Sequence, residues 1–145
     1  MKDVSVLARE ILADTYTMSL ATVDAAGPWV ADVIFVTDEA MNLYWVSSPE
    51  TRHSQALEKD SRVAASIVVD HSDANERSLQ IGGNAKRYEG PTEELDLKLE
   101  AKWGVPIPKD LDQRMISGKV WYVFEPKRIE MLYTRHYEYR RVSVR

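Results

Sequence analysis

The sequence predicts a mainly β protein: a closed antiparallel β-barrel of six or seven strands, flanked by a few helices. Short segments rich in β-branched and aromatic residues recur along the chain, which is typical of strands. The first three are joined by short polar turns, which fit antiparallel neighbours but not parallel ones. Closing the sheet into a barrel would remove its exposed edges. The 145 residues, 44% of them hydrophobic, suffice for one core, so residues 1–145 are expected to form one domain.

The N-terminal part of the chain is predicted to be an amphipathic helix followed by a three-stranded meander. Asp3 suits an N-cap, and the apolar residues behind it have helical spacing: Val4, Leu7, Ala8, Ile11 and Leu12. After this helix the apolar pattern alternates, with turn-forming residues around Gly27 and between Asp38 and Asn42. The three strands are expected at residues 18–23, 29–37 and 43–46.

A second helix and two further strands are predicted in the middle of the chain. Ser48 is expected to be the N-cap of this helix, and Pro49 its first residue, where the missing N–H costs nothing. The nearly continuous apolar run at residues 63–69 predicts a strand buried on both faces. The next strand, at residues 78–85, contains the pair Gly82-Gly83, which is typical of a bulge or a sharp bend.

The C-terminal part is predicted to hold a helical insert and two closing strands. The insert spans residues 92–116. Its first helix, 94–103, is expected to begin after Thr92 and to place Leu95, Leu99 and Trp103 on one face. A shorter helix is expected at 110–116. The closing strands are predicted at 119–125 and 128–134, separated by Pro126.

Composition and charge exclude several classes of protein. With no cysteine, the chain has no disulfide, thiolate zinc site, iron–sulfur cluster or cysteine nucleophile. No apolar run approaches the ~18 residues of a membrane span, and the N-terminus lacks the apolar segment of a signal peptide. We therefore expect a cytoplasmic protein without a membrane partner. The net charge is −4, but the last twenty residues carry six basic and two acidic side chains. This basic tail could bind an anion, although a solvated final strand is the favoured interpretation.

Most familiar catalytic motifs are absent from the sequence. No phosphate-binding glycine loop, nucleophile elbow or His-Glu-x-x-His motif occurs. The three histidines His53, His71 and His136 are widely separated, so no metal site is predicted. No side chain stands out as a general acid or base, and the catalytic residues are left unassigned.

The segment 47–53 is the best candidate for a binding site. It places three hydroxyls, an arginine and a histidine where a predicted strand passes into a helix: Ser47, Ser48, Thr51, Arg52 and His53. Free N–H groups and the helix dipole favour an anion there, and the arginine fork can hold a phosphate. From the residues alone, a capped surface helix with an unengaged arginine is equally consistent with the pattern.

The order and spacing of these segments resemble the pyridoxamine-phosphate oxidase-like family of flavin-binding split β-barrels. Gly83-Asn84-Ala85 is similar to the Gly-x-Ala element of that family, and the segment 121–129 resembles its last hairpin. The resemblance covers roughly residues 5–133 and rests on the runs 19–24, 27–28, 33–36, 43–48, 51–53, 63–69, 79–85 and 121–129.

The resemblance implies a homodimer that binds two FMN molecules at the subunit interface. Val33, Ile34 and Phe35 would present backbone to the isoalloxazine ring. Val46, Ser47 and Ser48 would lie near the ribityl chain and phosphate. Thr51, Arg52 and His53 match the segment that grips the phosphate, with His53 in place of the usual lysine. Gln80 would reach the flavin from the other subunit, and Trp121 would cover the ring.

The resemblance suggests an FMN-dependent oxidoreductase whose substrate is unknown. The substrate motif of the true oxidases has only a loose counterpart in Thr134-Arg135-His136, so pyridoxamine phosphate is a poor candidate. A non-enzymatic flavin-binding or flavin-sensing dimer, and a relative that binds haem or a deazaflavin, are alternatives. The insert 92–116 could shape a pocket or cap the barrel, and the cap is favoured.

An RNA-binding barrel is a further alternative, because aromatic and basic residues alternate near the C-terminus: Tyr133, Arg135, Tyr137, Tyr139, Arg140 and Arg141. The acidic body of the chain disfavours this alternative, so no nucleic acid partner is expected.

Overall fold

The computed structural model describes residues 2–70, 72, 75–104 and 118–145. In this part of the chain, helices and strands follow one another in the order α1 (Val4–Ala13), β1 (Thr17–Asp24), β2 (Gly27–Thr37), β3 (Leu43–Ser47), α2 (Arg52–Leu57), β4 (Arg62–Asp70), β5 (Arg77–Arg87), α3 (Glu93–Trp103), β6 (Val120–Tyr133), α4 (Thr134–Tyr137) and β7 (Arg141–Ser143). None of these helices is long and apolar enough to cross a membrane. The short helix expected at 110–116 lies outside the described residues.

The strands form a closed antiparallel barrel, which confirms the predicted fold class. Their order is β3-β2-β1-β4-β5-β6-β7, and an additional pairing of β3 with β6 closes the first six into a ring. In that closing pair Leu43 lies opposite Phe124, and Ser47 opposite Val120. Strand β7 pairs with the end of β6 outside the ring. This agrees with the favoured interpretation of the basic tail as a final strand.

The barrel interior is filled by large side chains that alternate along the strands. Phe35, Trp45, Tyr122 and Phe124 are almost completely buried, and the Trp45 and Tyr122 rings stack with centroids 5.4 Å apart. Helix α1 adds its predicted apolar stripe, Leu7, Ala8, Ile11 and Leu12, to this core. As expected, the Asp3 side chain caps the helix by accepting a hydrogen bond from the Ser5 N–H.

The two predicted closing strands are in fact one. Strand β6 continues through Pro126, and its unpaired residue Lys127 forms a bulge opposite Gly82-Gly83 of β5. Residues 120–124 of β6 pair with β3 and residues 130–132 pair with β7, so Pro126 lies between the two pairings on that edge. A proline is tolerated at a bulge because the regular ladder is interrupted there. The predicted irregularity at Gly82-Gly83 is confirmed, although the extra residue lies in β6, and the predicted break in the strand is wrong.

The structure corrects two further predictions, the burial of strand β4 on both faces and the start of helix α2. Strand β4 buries only its inward face within one chain, because Ala64, Ser66 and Val68 point outward and are exposed. Helix α2 begins at Arg52 rather than at Pro49, and its N-cap is Thr51 rather than Ser48. The hydroxyl of Thr51 accepts the capping hydrogen bond from the Ser54 N–H.

Helix α3 covers the outer face of β2, β3 and β6. Leu95 and Leu99 form a second apolar cluster with Val36 and Trp121, separate from the barrel core. Two lysines one helical turn apart donate to main-chain oxygens of β2: Lys98 to Thr37 at 2.9 Å and Lys102 to Phe35 at 2.7 Å. Burial lowers the pKa of Lys102 to about 8. The described part of the insert is therefore a cap on the barrel, although the Thr92 side chain makes no capping hydrogen bond.

Candidate functional site

The site begins where β2 and β3 separate. The two strands pair only from Phe35–Trp45 to Thr37–Leu43, whereas β2 extends back to Gly27 and β3 on to Ser47. One edge of β2 before Phe35 is therefore not paired with β3, while the other edge pairs with β1. This opening lies just before the segment 47–53. The structure thus brings three of the predicted groups together: residues 33–35, 46–48 and 51–53.

A buried hydroxyl–imidazole cluster connects the end of β3 to α2. The Nε2 atom of His53 is hydrogen-bonded to Ser47 Oγ at 2.8 Å and lies 3.3 Å from Thr51 Oγ1. Thr51 Oγ1 is also 2.7 Å from the hydroxyl of Ser54. Burial lowers the pKa of His53, so its imidazole is neutral at neutral pH. His53 consequently supplies a hydrogen bond and not a charge.

Protonation of His53 should make stability depend on pH. The unfolded chain takes up this proton near pH 6.5, but the folded chain does so only at lower pH, so stability falls as the pH drops below 6.5. Relative to His53→Gln, the free energy of unfolding of the unmodified protein should fall between pH 7.5 and pH 5. Urea unfolding of both proteins across this range measures the difference. Parallel pH profiles would show that the imidazole titrates alike in both states.

Arg52, the first residue of α2, is held by the β1–β2 hairpin. Its Nε and Nη2 atoms donate to the two carboxylate oxygens of Asp24 at 2.8 and 3.1 Å. Its guanidinium lies over the Trp29 ring, 4.3 Å from the centroid. The hydrogen bond from Arg52 lowers the pKa of Asp24, so the carboxylate is charged at neutral pH. Nη1 makes no hydrogen bond with the described part of the chain.

A cavity of about 840 Å³ lies between the hairpin tip and α2. Residues 23–26 line one wall, and residues from Glu50 to Asp60 line the other. Three carboxylates of this lining are already paired with arginines: Asp24 with Arg52, Glu58 with Arg87 and Asp60 with Arg62. The volume suits a small-molecule ligand, but the charge of the wall is largely compensated before any ligand binds.

Comparison with known protein families identifies the family of this chain. The sequence of residues 7–133 matches the pyridoxamine 5'-phosphate oxidase family. The chain belongs to this family. A search of curated proteins gives no significant match.

Solved structures show that the barrel of this family recurs in proteins with different descriptions. A conserved hypothetical protein from Mycobacterium tuberculosis is 18% identical, with a TM-score of 0.77 over 100% of this chain and 92% of the other. A haem-binding protein from Mycobacterium smegmatis is 22% identical, with a TM-score of 0.70 over 99% of this chain and 58% of the other. An F420 reductase is 22% identical, with a TM-score of 0.64 over 83% and 94%. At these identities the likeness establishes the fold alone.

Of the eleven residues matched to the flavin sites of the pyridoxamine 5'-phosphate oxidase family, only Arg52 is among those that line this cavity. Gln80 is exposed on the outer face of the barrel, in a groove of about 420 Å³ lined also by Ala64, Ser66 and Gly82. Trp121 is 5% exposed and lies opposite Val46 in the β3–β6 pairing, in the apolar cluster covered by α3. Within one chain, Gln80 and Arg52 therefore line different cavities.

Sequence reasoning missed Asp24 and Trp29. Asp24 was assigned only to a turn, and Trp29 only to a strand. Nothing in the sequence links either residue to Arg52, which follows Asp24 by 28 positions. Only the pairing of β1 with β2 and the packing of α2 on β1 bring the three side chains together. Among the described residues, no group of acidic and histidine side chains could hold a metal ion.

Proposed function

We propose that this chain binds FMN and uses it for redox chemistry on a small molecule, in the cytoplasm. The observation that carries the proposal is the position of Arg52. It lies at the wall of an 840 Å³ cavity, in the helix that follows β3, and its Nη1 atom makes no hydrogen bond with the described part of the chain. Membership of the pyridoxamine 5'-phosphate oxidase family supports a flavin in this place.

The residues at the opening fit the two ends of FMN. Arg52 would bind the phosphate through charge-assisted hydrogen bonds, with the hydroxyls of Ser48 and Thr51 as further donors. Ser47 and His53 would keep these hydroxyls in position through their buried hydrogen bond. Because His53 is neutral, Arg52 would supply the positive charge in this segment.

The other end of the ligand would meet backbone and apolar side chains. The edge of β2 at Val33 and Ile34 would present main-chain groups to the isoalloxazine ring, and Val46 would exclude water from one side. The main-chain groups of Phe35 are engaged by Tyr16 and Lys102. When bound, FMN supplies a ring that accepts and returns a hydride or single electrons. The protein would bind and orient that ring, and a substrate-specific acid or base is not assigned.

We also propose that the flavin site is completed by a second copy of the chain. The outer barrel face exposes Val30 at 60% and Val68 at 52%, next to the groove that contains Gln80 and Gly82. Strand β4 was expected to be buried on both faces, and a partner covering this face would achieve that burial. Gln80 of one copy would then face the flavin held by Arg52 of the other.

One chromatographic experiment tests the cofactor and the dimer together. The purified protein is separated by size, with absorbance and light-scattering detection on the same peak. We expect a flavin spectrum and a mass twice the 16.6 kDa of the chain.

Titration of the protein with each flavin should show that FMN binds more tightly than FAD. The reason is that the sequence offers one compact anion site and no glycine-rich loop for a pyrophosphate. A monomer that binds flavin tightly would contradict the shared site, and tighter FAD binding would contradict the choice of cofactor.

The same spectrum distinguishes the alternatives. A Soret band would indicate haem, which the described residues favour less, because the Nε2 atom of His53 is taken by Ser47 and the His136 ring packs edge-on against Tyr133 at 4.6 Å. A deazaflavin spectrum would place the chain with the F420 reductase. A non-enzymatic flavin-binding dimer would give the expected spectrum but no turnover with any electron donor and acceptor.

A further inference from the structure

The Arg52 site contains an anion of its own. Asp24 engages the Nε and Nη2 atoms of Arg52 with both oxygens, and Trp29 supports the guanidinium from below. The side chains of Arg52 and Asp24 are 36% and 26% exposed, so solvent and a soluble ligand can reach the pair. A dianionic phosphate placed at Arg52 would share one positive charge with this carboxylate.

Besides Arg52, the described lining of the cavity contains one other cation, Lys59. Arg87 and Arg62 are engaged by Glu58 and Asp60. Glu50 also lines the cavity, so Glu50 and Lys59 together leave the net charge of the lining unchanged. Like charges at short range repel strongly, so phosphate and the Asp24 carboxylate compete for the same guanidinium.

We propose that Asp24 is a specificity-determining residue that competes internally for Arg52, and that an anionic ligand binds by taking its place. The inference rests on the proposed function in one respect, namely that Arg52 binds the ligand phosphate. It assigns to Asp24 the role of weakening anion binding, so that only a ligand with further contacts in the cavity is retained. Inorganic phosphate alone would then bind poorly.

The variant Asp24→Asn removes the competing charge and keeps the local structure. The Asp24 Oδ1 atom accepts a hydrogen bond from the Ala26 N–H in the hairpin turn, and an asparagine oxygen can accept the same bond. The matched control is Glu50→Gln, which removes one negative charge from the same cavity lining without changing the Asp24–Arg52 pair.

The first measurement compares FMN with riboflavin by fluorescence titration. In Asp24→Asn, the affinity for FMN relative to riboflavin should rise about fivefold, the modest effect of removing one exposed ionic contact. Glu50→Gln should leave this ratio close to that of the unmodified protein. An unchanged or lower ratio in Asp24→Asn would overturn the proposal, and a lower one would show that Asp24 positions Arg52 for the ligand.

The second measurement does not depend on FMN. Phenylglyoxal modifies accessible guanidinium groups, and peptide mapping by mass spectrometry reports the modification of Arg52. We expect phenylglyoxal to react faster with Arg52 in Asp24→Asn than in the protein without this substitution. Inorganic phosphate should protect Arg52 from the reagent in the variant only. If no protein binds FMN but this pattern holds, the proposed cofactor fails and the competition stands. Equal modification rates, or equal protection by phosphate, would overturn the competition.

Discussion

Replacing Arg52 with alanine should weaken FMN binding by roughly 10- to 150-fold, the range for losing a charge-assisted hydrogen bond. The affinity for riboflavin, which has no phosphate, should barely change. Asp24 would then remain as an uncompensated carboxylate beside the phosphate, which acts in the same direction. Titration of both ligands by flavin fluorescence gives the two affinities, and the difference between them is the decisive result.

The matched control for this prediction is Arg62→Ala. Arg62 is also exposed and donates to both oxygens of a carboxylate of the cavity lining, Asp60, at 3.0 and 2.7 Å. Its loss changes the charge around the cavity without removing the proposed phosphate ligand, so the FMN affinity should change little. Thermal unfolding of ligand-free Arg52→Ala should stay close to that of the unmodified protein, because exposed ion pairs contribute little to stability. Equal losses for FMN and riboflavin would mean that Arg52 supports the shape of the cavity and that the phosphate binds elsewhere.

Replacing Gly83 with alanine should destabilise the fold by about 2–4 kcal/mol, the cost of forcing an atom into a tightly packed site. A Cβ atom at this position would lie 2.3 Å from the Glu125 carbonyl oxygen and 3.0 Å from the Lys127 nitrogen, both in the backbone of β6. The backbone cannot move aside as a flexible side chain can, so the bulge between β5 and β6 must be distorted. The midpoint and slope of urea unfolding give the change in free energy.

The neighbouring glycine provides the control. A Cβ atom at Gly82 would meet nothing within 4 Å, because this position opens onto the outer groove. Within a single chain, Gly82→Ala should therefore leave the free energy of unfolding within about 0.5 kcal/mol, and the smaller entropy of its unfolded chain favours a slight gain. Similar losses in both variants would show that the bulge requires flexibility at both positions and not one close backbone contact.

Much of the fold could be predicted because local patterns in this sequence agree with one another. The stripe from Leu7 to Leu12 gave helix α1, alternating segments gave the strands of the meander, and Gly82-Gly83 gave the bulge. The predictions of strand and helix ends were wrong where contacts with other segments outweighed the local preference of a residue. Pro126 ordinarily interrupts a strand, but here it falls at the bulge in the pairing with β5, so β6 continues through it. Ser48-Pro49 resembles a helix start, but Thr51 provides the cap.

The candidate site was only partly predictable. The segment 47–53 was identified because hydroxyls and an arginine at a strand-to-helix junction are chemically suited to an anion. The neutral state of His53 could not be inferred, because it follows from burial against Ser47 and Thr51. Asp24 and Trp29 were not predicted as site residues, because aspartate is common in turns and tryptophan is common in strands.

By itself, the sequence determined the fold class, the barrel and the candidate anion-binding segment 47–53, which contains Arg52. These properties follow from the periodicity and chemistry of residues close together in the chain, which act before any long-range contact forms. Only the tertiary structure decided that β2 and β3 separate beside that segment, that Arg52 is paired with Asp24 over Trp29, and that Gly83 rather than Gly82 has no room for a Cβ atom. Each of these depends on two strands or a strand and a helix meeting at a particular register, and that register is set by packing of the whole core.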